Sequence, residues 1–392
     1  MADFAATYEC LRAAGRDPDV LHGKRLLVAG CGNAGSNATL TLAVLGVEAA
    51  YVDPDSVEPK NLAHSPFLDV TPRPDGTLPF KAELLARAHV AHSRRPDQVA
   101  HWAAAPLQAI PWGVLRTFDG MLVGIDDGPS RAWAARVGAL LGIPTIVAGF
   151  YPPTGNFVAT SNRDADSPCY FCLRPTESTT RASCSLYATA VGTVNPALQT
   201  AAAATMNVAI EAMTRFWHDD LRYDGHVFRL DLGEGCGELT SFRRYVDCPG
   251  PHERLPEPRP VAFDADAPAR AVLDLARADG LRSPELMLPS AYVVSLPCRA
   301  CGREVPVEQP EWMVRTAPCC GSGCGASGST AMAHIVETVS PTNPLADRLL
   351  RELGLGPLAL CVVEDAESGG VRVYELPGNV SDVFHTVTRS ER

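Results

Sequence analysis

KRLLVAGCGNAGSNATLTLAVLGVEAAYVDPDSVEPKNLAHSP, residues 24–66, is the stretch that decides the fold. Leu26–Ala29 is a short apolar run with the length of a buried strand. Gly30-Cys31-Gly32-Asn33-Ala34-Gly35 follows as a glycine-rich turn and leads into an apolar segment of helix length. Ala49–Val52 predicts a second strand, and Asp53 comes directly after it. A strand, a glycine turn, a helix, a strand and an acidic residue in this order form the βαβ unit that binds nucleotides.

Each part of this unit has a role in holding a nucleotide. Gly30, Gly32 and Gly35 permit a tight turn and let the backbone approach a phosphate closely. The N-terminus of the following helix offers free N–H groups to that phosphate. The carboxylate of Asp53 can accept hydrogen bonds from ribose hydroxyls. The pattern fits either a dinucleotide or ATP and does not distinguish between them.

Beyond this unit, helices and strands continue to alternate. The predicted elements are a helix from Lys81, a strand at Met121–Ile125, a helix at Arg131–Leu141 and a strand at Thr145–Gly149. The alternation predicts an α/β fold of the Rossmann-like, doubly wound kind with a mainly parallel sheet. Ligands of such sheets bind outside the carboxyl ends of the strands, and Asp53 and Asp126 both follow predicted strands.

The composition limits the class of protein. The chain has 392 residues, 46% of them hydrophobic and 20% charged, which is typical of a globular protein with two or three domains. A formal net charge of -11 weighs against a nucleic-acid partner. No apolar run approaches the roughly 20 residues of a membrane span, and the N-terminus lacks the basic region of a signal peptide. We therefore expect a cytoplasmic protein without nucleic-acid or membrane partners.

The second half of the chain predicts a separate domain. Residues 253–262 combine three prolines with charged residues, which is typical of a linker. We predict a nucleotide-binding domain at residues 1–254 and a smaller mixed α/β domain at residues 255–392. Its predicted elements include helices at Ala269–Ala278 and Pro344–Leu353, and strands at Ala291–Leu296, Leu358–Val363 and Val371–Leu376.

A series of motifs resembles the E1-like family, which comprises ubiquitin-activating enzymes and bacterial relatives in thiamine and molybdenum-cofactor synthesis. The resemblance covers roughly residues 20–252. The motifs are the glycine loop, Asp53-Pro54-Asp55, Asn61-Leu62, Lys81, Asp126 with Arg131, the Cys169/Cys172 pair, Cys184 and Cys248-Pro249. No single motif is specific, but their order and spacing together point to this family.

The resemblance implies an enzyme that uses Mg²⁺ and ATP to adenylate the C-terminal carboxylate of a small protein. It implies that Asp53 binds the ribose and that the glycine loop admits the α-phosphate. It also implies that Asn61 and Lys81 contact phosphate oxygens and that Asp126 holds Mg²⁺. Asp55 and His64 are the remaining predicted nucleotide-binding residues.

The chain departs from the family pattern after Asn61-Leu62. The family commonly continues with x-Arg-Gln, whereas this sequence has Ala63-His64-Ser65. A protonated His64 can replace the phosphate-contacting arginine, or Arg12 or Arg16 can be supplied elsewhere in a dimer. Asp127 also stands where asparagine is common.

The 13 cysteines indicate metal binding or catalysis before disulfides, because no secretion signal is visible. Cys169, Cys172 and Cys248 resemble the family's structural zinc site, with His252 in place of the fourth thiolate; zinc accepts either ligand. Cys298, Cys301, Cys324 and one of Cys319 or Cys320 have the spacing of a second zinc ribbon, with Cys320 taken as the ligand. A crossed site that joins Cys169 and Cys172 to Cys298 and Cys301 remains an alternative.

Cys184 lies in a loop rich in serine, threonine and arginine, a setting that favours the nucleophilic thiolate. The resemblance implies that it attacks the adenylate to form a thioester or carries sulfur as an acyl persulfide. The expected partners are a ubiquitin-like or sulfur-carrier protein, an E2-like conjugating enzyme and a second copy of the chain. Cys10, Cys31, Cys236 and Cys361 are predicted to be small buried residues.

Three other functions remain open at this stage. The same fold can adenylate a peptide or another small carboxylate. An NAD-dependent oxidoreductase accounts for the glycine loop and Asp53, but not for Asn61, Lys81 or the cysteine pair. A non-catalytic pseudo-E1 scaffold accounts for the metal sites and for the change at His64.

Overall fold

The computed structural model describes residues 9–13, 15–63, 65–151, 153–173, 196–298, 301, 303–314 and 334–389. The chain divides into two compact units. Unit 1 consists of Met1–Leu107, Leu115–Arg254 and Ser381–Arg392, and unit 2 consists of Gln108–Val114 and Leu255–Val380. The boundary between Arg254 and Leu255 lies within residues 253–262, and the C-terminal segment Ser381–Arg392 belongs to unit 1.

The helices and strands of the described residues are numbered along the chain. The helices are α1 (Glu9–Ala13), α2 (Pro18–His22), α3 (Asn33–Leu45), α4 (Lys81–His92), α5 (Trp112–Leu115), α6 (Gly128–Leu141), α7 (Tyr170–Leu173), α8 (Pro196–Trp217) and α9 (Ala269–Ala278). The strands are β1 (Arg25–Ala29), β2 (Glu48–Val52), β3 (Ala100–Ala103), β4 (Gly120–Val123), β5 (Thr145–Tyr151), β6 (Thr154–Thr160), β7 (His226–Asp231), β8 (Cys236–Ser241), β9 (Arg259–Pro260), β10 (Pro284–Pro297), β11 (Glu304–Pro310), β12 (His334–Val339), β13 (Leu360–Asp365), β14 (Val371–Glu375) and β15 (His385–Val387).

Unit 1 is built on a nine-stranded sheet within the described part of the chain, in the order β15-β3-β2-β1-β4-β5-β6-β7-β8. The five strands from β3 to β5 are parallel, and the strands at both ends of the sheet are antiparallel. This arrangement confirms a mixed α/β fold with a large sheet around a parallel centre. Strands β6 and β15 were not predicted from the sequence.

The parallel strands are apolar because helices cover them. Leu26, Leu27 and Ala29 on β1 are completely buried, on both faces of the strand. Burying a leucine side chain contributes about 1.5–3 kcal/mol. Helix α8 packs against α3 and against β6, and its alanines permit a close approach. A Cβ on Gly155 of β6 would overlap the side chain of Thr205, so glycine is required where this helix crosses the sheet.

Unit 2 is a separate sheet with one amphipathic helix. Its strand order is β11-β10-β13-β14-β9, and β12 also pairs with β10. Helix α9 buries Ala269, Val272, Leu273 and Ala276, which share one face at helical spacing. The predicted helix at Ala269–Ala278 is therefore confirmed. Strands β11 and β12 were not predicted.

The predicted helix at Pro344–Leu353 is wrong. The segment forms two short 3₁₀ turns, Pro344–Asp347 and Leu350–Leu353. Arg348 and Leu349 between them are extended because their backbone pairs with the start of α9: the N–H of Ala269 donates to the carbonyl oxygen of Arg348 at 2.9 Å. In the described part of the chain, no helix combines the length and the apolar character that crossing a membrane requires.

Candidate active site

The carboxyl ends of neighbouring parallel strands form one edge of the unit 1 sheet. Asp53, Gly30 and Gly124 follow β2, β1 and β4, which are adjacent in the sheet. The N–H of Gly30 donates to the carbonyl oxygen of Val52 at 2.9 Å, and that of Gly124 donates to Ala29 at 2.8 Å. These hydrogen bonds place the carboxyl ends of the three strands side by side, so the residues that follow them lie close together. We call this site the nucleotide edge.

The glycines of the nucleotide edge are required by close backbone approaches. Gly30 has a φ of +89°, and a Cβ on it would lie 2.8 Å from the backbone of Gly124. A Cβ on Gly35 would lie 2.5 Å from the carbonyl oxygen of Gly30, and one on Gly124 would overlap Ala34. The sequence analysis did not single out Gly124, although a glycine directly after a strand was a usable signal.

Gly32 differs from these glycines because it faces open space. It precedes the first residue of α3, and no protein atom among the described residues lies within 4 Å of a Cβ built on it. No side chain of the described residues caps this helix end. A helix N-terminus without a side-chain cap is the arrangement that proteins use to bind phosphate.

Asp53 is held rigidly at the nucleotide edge. Its Oδ2 accepts a hydrogen bond from the N–H of Cys31 at 2.7 Å, and its Oδ1 accepts one from the N–H of Asp55 at 2.9 Å. Burial raises the pKa of Asp53, against the opposing effects of Lys81 and of these two N–H groups. Its side chain is fixed by the glycine turn itself, and each oxygen retains a lone pair for a ligand.

Lys81 places a buried positive charge beside two carboxylates. It is the first residue of α4, and its Nζ donates to Oδ2 of Asp55 at 2.8 Å. The residue is only 7% exposed. Burial disfavours the charged form, but Asp53 and Asp55 together outweigh burial and raise the pKa of Lys81. The ammonium group is thus charged at neutral pH and available to phosphate oxygens.

Asn61 and Asp126, two other predicted nucleotide-binding residues, lie outside the contacts that join Asp53, Asp55 and Lys81. Asn61 lies in the short 3₁₀ helix Pro59–Ala63, where its Oδ1 accepts from the N–H of Glu58 at 2.8 Å. Asp126 comes two residues after Gly124, and the neighbouring Asp127 caps α6 through the N–H of Ser130 at 2.8 Å. The structure brings Gly30, Gly35, Asp53, Asp55 and Lys81 into one network of contacts. The hydrogen bond between Asn61 and Glu58 lies within a single turn of the chain.

The structure places one of the residues predicted to replace the family's arginine, Arg16. His64 lies outside the described residues. Arg16 is engaged by α8, because its Nη2 lies 2.6 Å from Oε1 of Glu211.

Four side chains form a cluster suited to a metal ion. The ligand atoms of Cys169, Cys172, Cys248 and His252 all lie within 4.8 Å of one another. The Sγ atom of Cys169 is 3.9 Å from that of Cys172 and 3.5 Å from that of Cys248, and Nε2 of His252 is 3.4 Å from Sγ of Cys172. A tetrahedral zinc ion with sulfur ligands at about 2.3 Å separates two sulfurs by about 3.8 Å. The donor set and its spacing fit zinc.

Neighbouring backbone groups orient these ligands. The N–H groups of Tyr245 and Gly250 point at Sγ of Cys172 and Cys248, at 3.3 and 3.4 Å. Nδ1 of His252 lies 3.2 Å from the carbonyl oxygen of Ser167, which turns Nε2 toward the sulfurs. Such outer contacts fix the tautomer of a metal-binding histidine. Among the described residues, the cluster joins Cys169 and Cys172 to Cys248 and His252.

The ThiF family model matches residues 11–351. The chain belongs to the ThiF family. The match continues past residue 252, where the resemblance seen in the sequence ended, and includes much of unit 2. Membership of this E1-like family supports adenylation chemistry.

Three solved structures illustrate the matches found at low sequence identity. The crystal structure of E. coli MccB is 16% identical with a TM-score of 0.48, over 63% of this chain and 70% of that chain. Its complex with ATP is 16% identical with a TM-score of 0.46, over 59% and 67%. The crystal structure of PaaA is 16% identical with a TM-score of 0.43, over 62% and 84%. The comparison with curated protein sequences finds no match.

The other cysteines of this ThiF family protein lie outside the four-residue cluster. Cys298 is buried and Cys301 is exposed at the turn between β10 and β11, where the N–H of Cys298 donates to Arg303 at 2.9 Å. Their predicted partners Cys320 and Cys324, and the predicted nucleophile Cys184, lie outside the described residues. Cys361 is buried as predicted, whereas Cys236 is exposed because it lies on β8, the last strand of the sheet.

Proposed function

We propose that this protein uses ATP to adenylate the C-terminal carboxylate of a ubiquitin-like or sulfur-carrier protein. The observation that supports this best is the buried ammonium of Lys81 beside Asp53 and Asp55 at the nucleotide edge. Phosphoryl chemistry between anions needs such fixed positive charge. A hydride-transferring enzyme that binds NAD does not need it, so Lys81 favours ATP over a nicotinamide cofactor.

The proposed reaction joins two anions. One oxygen of the carboxylate attacks the α-phosphorus of ATP and forms an acyl–phosphate bond. The bond from the α-phosphorus to the bridging oxygen breaks, and pyrophosphate leaves with that electron pair. Lys81 and the N–H groups at the start of α3 are the groups of this chain that would stabilise the charge on the phosphates.

Magnesium is the metal that this chemistry requires, and Asp126 is the residue proposed to hold it. A carboxylate at the carboxyl end of β4 is a suitable ligand because Mg²⁺ prefers oxygen donors. The ion would neutralise phosphate charge when bound. Asn61 is proposed to contact phosphate once its loop adapts to ATP. His64 is also proposed to contact the nucleotide phosphates.

The acyl group is proposed to pass next to Cys184. Its thiolate would attack the acyl carbon, form a thioester and release AMP, and an E2-like protein would then accept the acyl group. Zinc at Cys169, Cys172, Cys248 and His252 is proposed to be structural, as is a second zinc at Cys298, Cys301, Cys320 and Cys324. The protein is proposed to act as a homodimer.

Calorimetric titration of the zinc-loaded protein with Mg·ATP, and separately with NAD and NADH, tests the function. We expect Mg·ATP to bind and Asp126→Ala to weaken that binding. Asp119→Ala is the matched control, because Asp119 immediately precedes β4 at the opposite edge of the sheet. Binding of NAD without binding of ATP would overturn the proposal. An unchanged affinity in Asp126→Ala would remove Asp126 from the site.

A further inference from the structure

The guanidinium group of Arg131 lies at the carboxyl end of β5, beside the nucleotide edge. Arg131 is in the first turns of α6, and its Nε donates to the carbonyl oxygen of Ile125 at 2.5 Å. A Cβ built on Gly149 of β5 would lie 3.2 Å from Nη1 and 3.4 Å from Nη2. The absence of a side chain at Gly149 therefore gives the guanidinium group its position.

The two terminal nitrogens of Arg131 are open to a ligand. Within the described residues, this guanidinium group donates its hydrogen bond from Nε, and neither Nη atom makes another. The residue is half-buried. Oδ1 of Asn156 lies 3.4 Å from the same Cβ position on Gly149, on the neighbouring strand β6. A partly desolvated arginine with two parallel donors matches the two oxygens of a carboxylate.

The order of the strands determines the order in which parts of the substrates would lie along the sheet edge. Asp53, Gly30, Gly124 and Gly149 lie at or near the carboxyl ends of β2, β1, β4 and β5, which are neighbours in that order. A ribose at Asp53 and phosphates at the start of α3 would occupy the β2 and β1 side. The group that attacks the α-phosphorus must then approach from the side of β4 and β5, where Arg131 lies.

We propose that Arg131 binds the acyl end of the substrate in the adenylation reaction. It would hold the carboxylate oxygen that does not attack, and this oxygen becomes the carbonyl oxygen of the acyl adenylate. The guanidinium would offset the repulsion between the carboxylate and the phosphates. This inference rests on the proposed adenylation function.

Two stable ligands, one without and one with an acyl group, distinguish the contribution of the acyl group to binding from that of the nucleotide. The first is 5′-O-sulfamoyladenosine, which resembles AMP. The second is its N-(acetylglycyl) derivative, which resembles an acyl adenylate that ends in glycine. Calorimetry on the full-length protein measures how much the acyl group tightens binding. We expect Arg131→Gln to reduce that gain by about tenfold or more, since hydrogen bonds to charged groups are the strong ones. We expect its affinity for Mg·ATP to be unchanged.

Gly149→Ala is a second variant that alters no charge. Its Cβ would displace the guanidinium from its position over β5, and we expect a smaller loss of the same acyl gain. Thermal melting of both variants checks that they are folded. A purely structural role for Arg131 would weaken the acylated and unacylated ligands equally.

The outcomes separate the inference from the function on which it rests. If the wild-type protein binds neither sulfamoyl ligand nor Mg·ATP, the proposed function fails. If the wild-type protein binds both sulfamoyl ligands and the acyl group adds nothing, the inference alone is overturned. It is also overturned if Arg131→Gln keeps the acyl gain, or if it weakens Mg·ATP binding by the same factor, since Arg131 would then contact phosphate.

Discussion

At Lys81 the protein keeps an ammonium group charged where burial acts to discharge it. The two carboxylates of Asp53 and Asp55 raise its pKa above the ordinary value despite that burial. Lys81 is therefore a positive charge held at a fixed position, where it can bind an anion. When phosphate arrives, it would share a charge that the protein has already desolvated, which makes the interaction stronger than one in water.

Replacement of this cation tests its role in binding. We expect Lys81→Met to weaken Mg·ATP binding by about ten- to a hundredfold, as the loss of a charged hydrogen bond predicts. Lys24→Met is the matched control, because Lys24 also pairs with an aspartate, at 2.9 Å, but immediately precedes β1 at the opposite edge of the sheet. Equal affinities in both variants would contradict the role given to Lys81.

His89 predicts a pH dependence of stability. It is completely buried, and its ring nitrogens contact the hydroxyl of Tyr51 at 2.9 Å and the carbonyl oxygen of Val47 at 3.1 Å. Burial lowers its pKa from 6.5 to about 4. The unfolded chain therefore binds a proton first as the pH falls, and stability present above pH 6.5 is lost as the pH approaches 4.

The loss from His89 is on the order of 3 kcal/mol across that window. NMR titration of the imidazole measures the folded pKa directly. Melting curves of the wild type and of His89→Gln between pH 4.5 and 6.5, a window of about two pH units, should differ in slope, with the wild type steeper. A resonance that titrates near the ordinary pKa in the folded protein would refute this prediction.

Single residues differ in how well the sequence predicts them. Gly30 and Asp53 could be found because their requirements are local: a tight turn and the end of a strand. Their partners could not. The pairing of Lys81 with Asp55 joins residues far apart in the chain and depends on how α4 packs. The place of Arg131 depends on Gly149, a residue of another strand that carries no signal of its own.

At the scale of elements, the glycines that follow strands β1 and β4 have two different roles. Gly124→Ala would force a methyl group into Ala34, and we expect a marked loss of thermal stability. Gly32→Ala meets no described atom within 4 Å, so we expect it to fold normally and to bind Mg·ATP less tightly. Gly128→Ala, equally open, is the control for both. Calorimetry and thermal melting together distinguish these results, and unchanged ATP binding in Gly32→Ala would argue against phosphate at this helix end.

The segment around His252 should depend on zinc. We expect the purified protein to contain zinc and Cys172→Ser to contain about one ion fewer per chain. Chelation should expose residues 245–254 to proteolysis, because the cluster anchors them to Cys169 and Cys172. Cys236→Ser is the matched control, since Cys236 is exposed and lies outside the cluster. Equal zinc contents in the two variants would contradict the assignment.

Elements were predictable where the pattern alone determines them. Helix α9 has apolar residues on one face and was predicted with the correct ends. Pro344–Leu353 has a similar composition, but pairing of its backbone with the start of α9 replaces the helix. Strand β6 was missed because its small and polar residues give little alternation. Its place between β5 and β7 is determined by the sheet.

At the scale of the whole molecule, the C-terminal segment completes a sheet that begins near the N-terminus. Strand β15 pairs with β3. Phe384 is buried against Phe118, and Arg389 donates to the carbonyl oxygen of Ser93 at 3.0 Å. Leu255–Val380, the larger part of unit 2, is thus inserted between two parts of unit 1. The sequence could not predict this return, because a strand of three residues has no recognisable period.

Loss of the packing of the C-terminal segment against unit 1 should destabilise that unit. We expect Phe384→Ala to lower the free energy of unfolding by about 3–5 kcal/mol, the usual cost of a large buried aromatic residue. Asp382→Ala, at an exposed position of the same segment, should change it by about 0.5 kcal/mol or less. Thermal melting of the two variants measures the difference, and similar melting temperatures would show that the segment adds no stability.

The position of β15 also affects how the protein is made. His101 of β3 and Thr386 of β15 are 285 residues apart in the chain. During translation, β3 leaves the ribosome long before its neighbour is synthesised, so one edge of the first sheet stays unpaired while all of unit 2 is made. A nascent chain in this condition exposes a free strand edge of the kind that chaperones protect. The sheet of unit 1 is therefore completed only after His385–Val387 are synthesised.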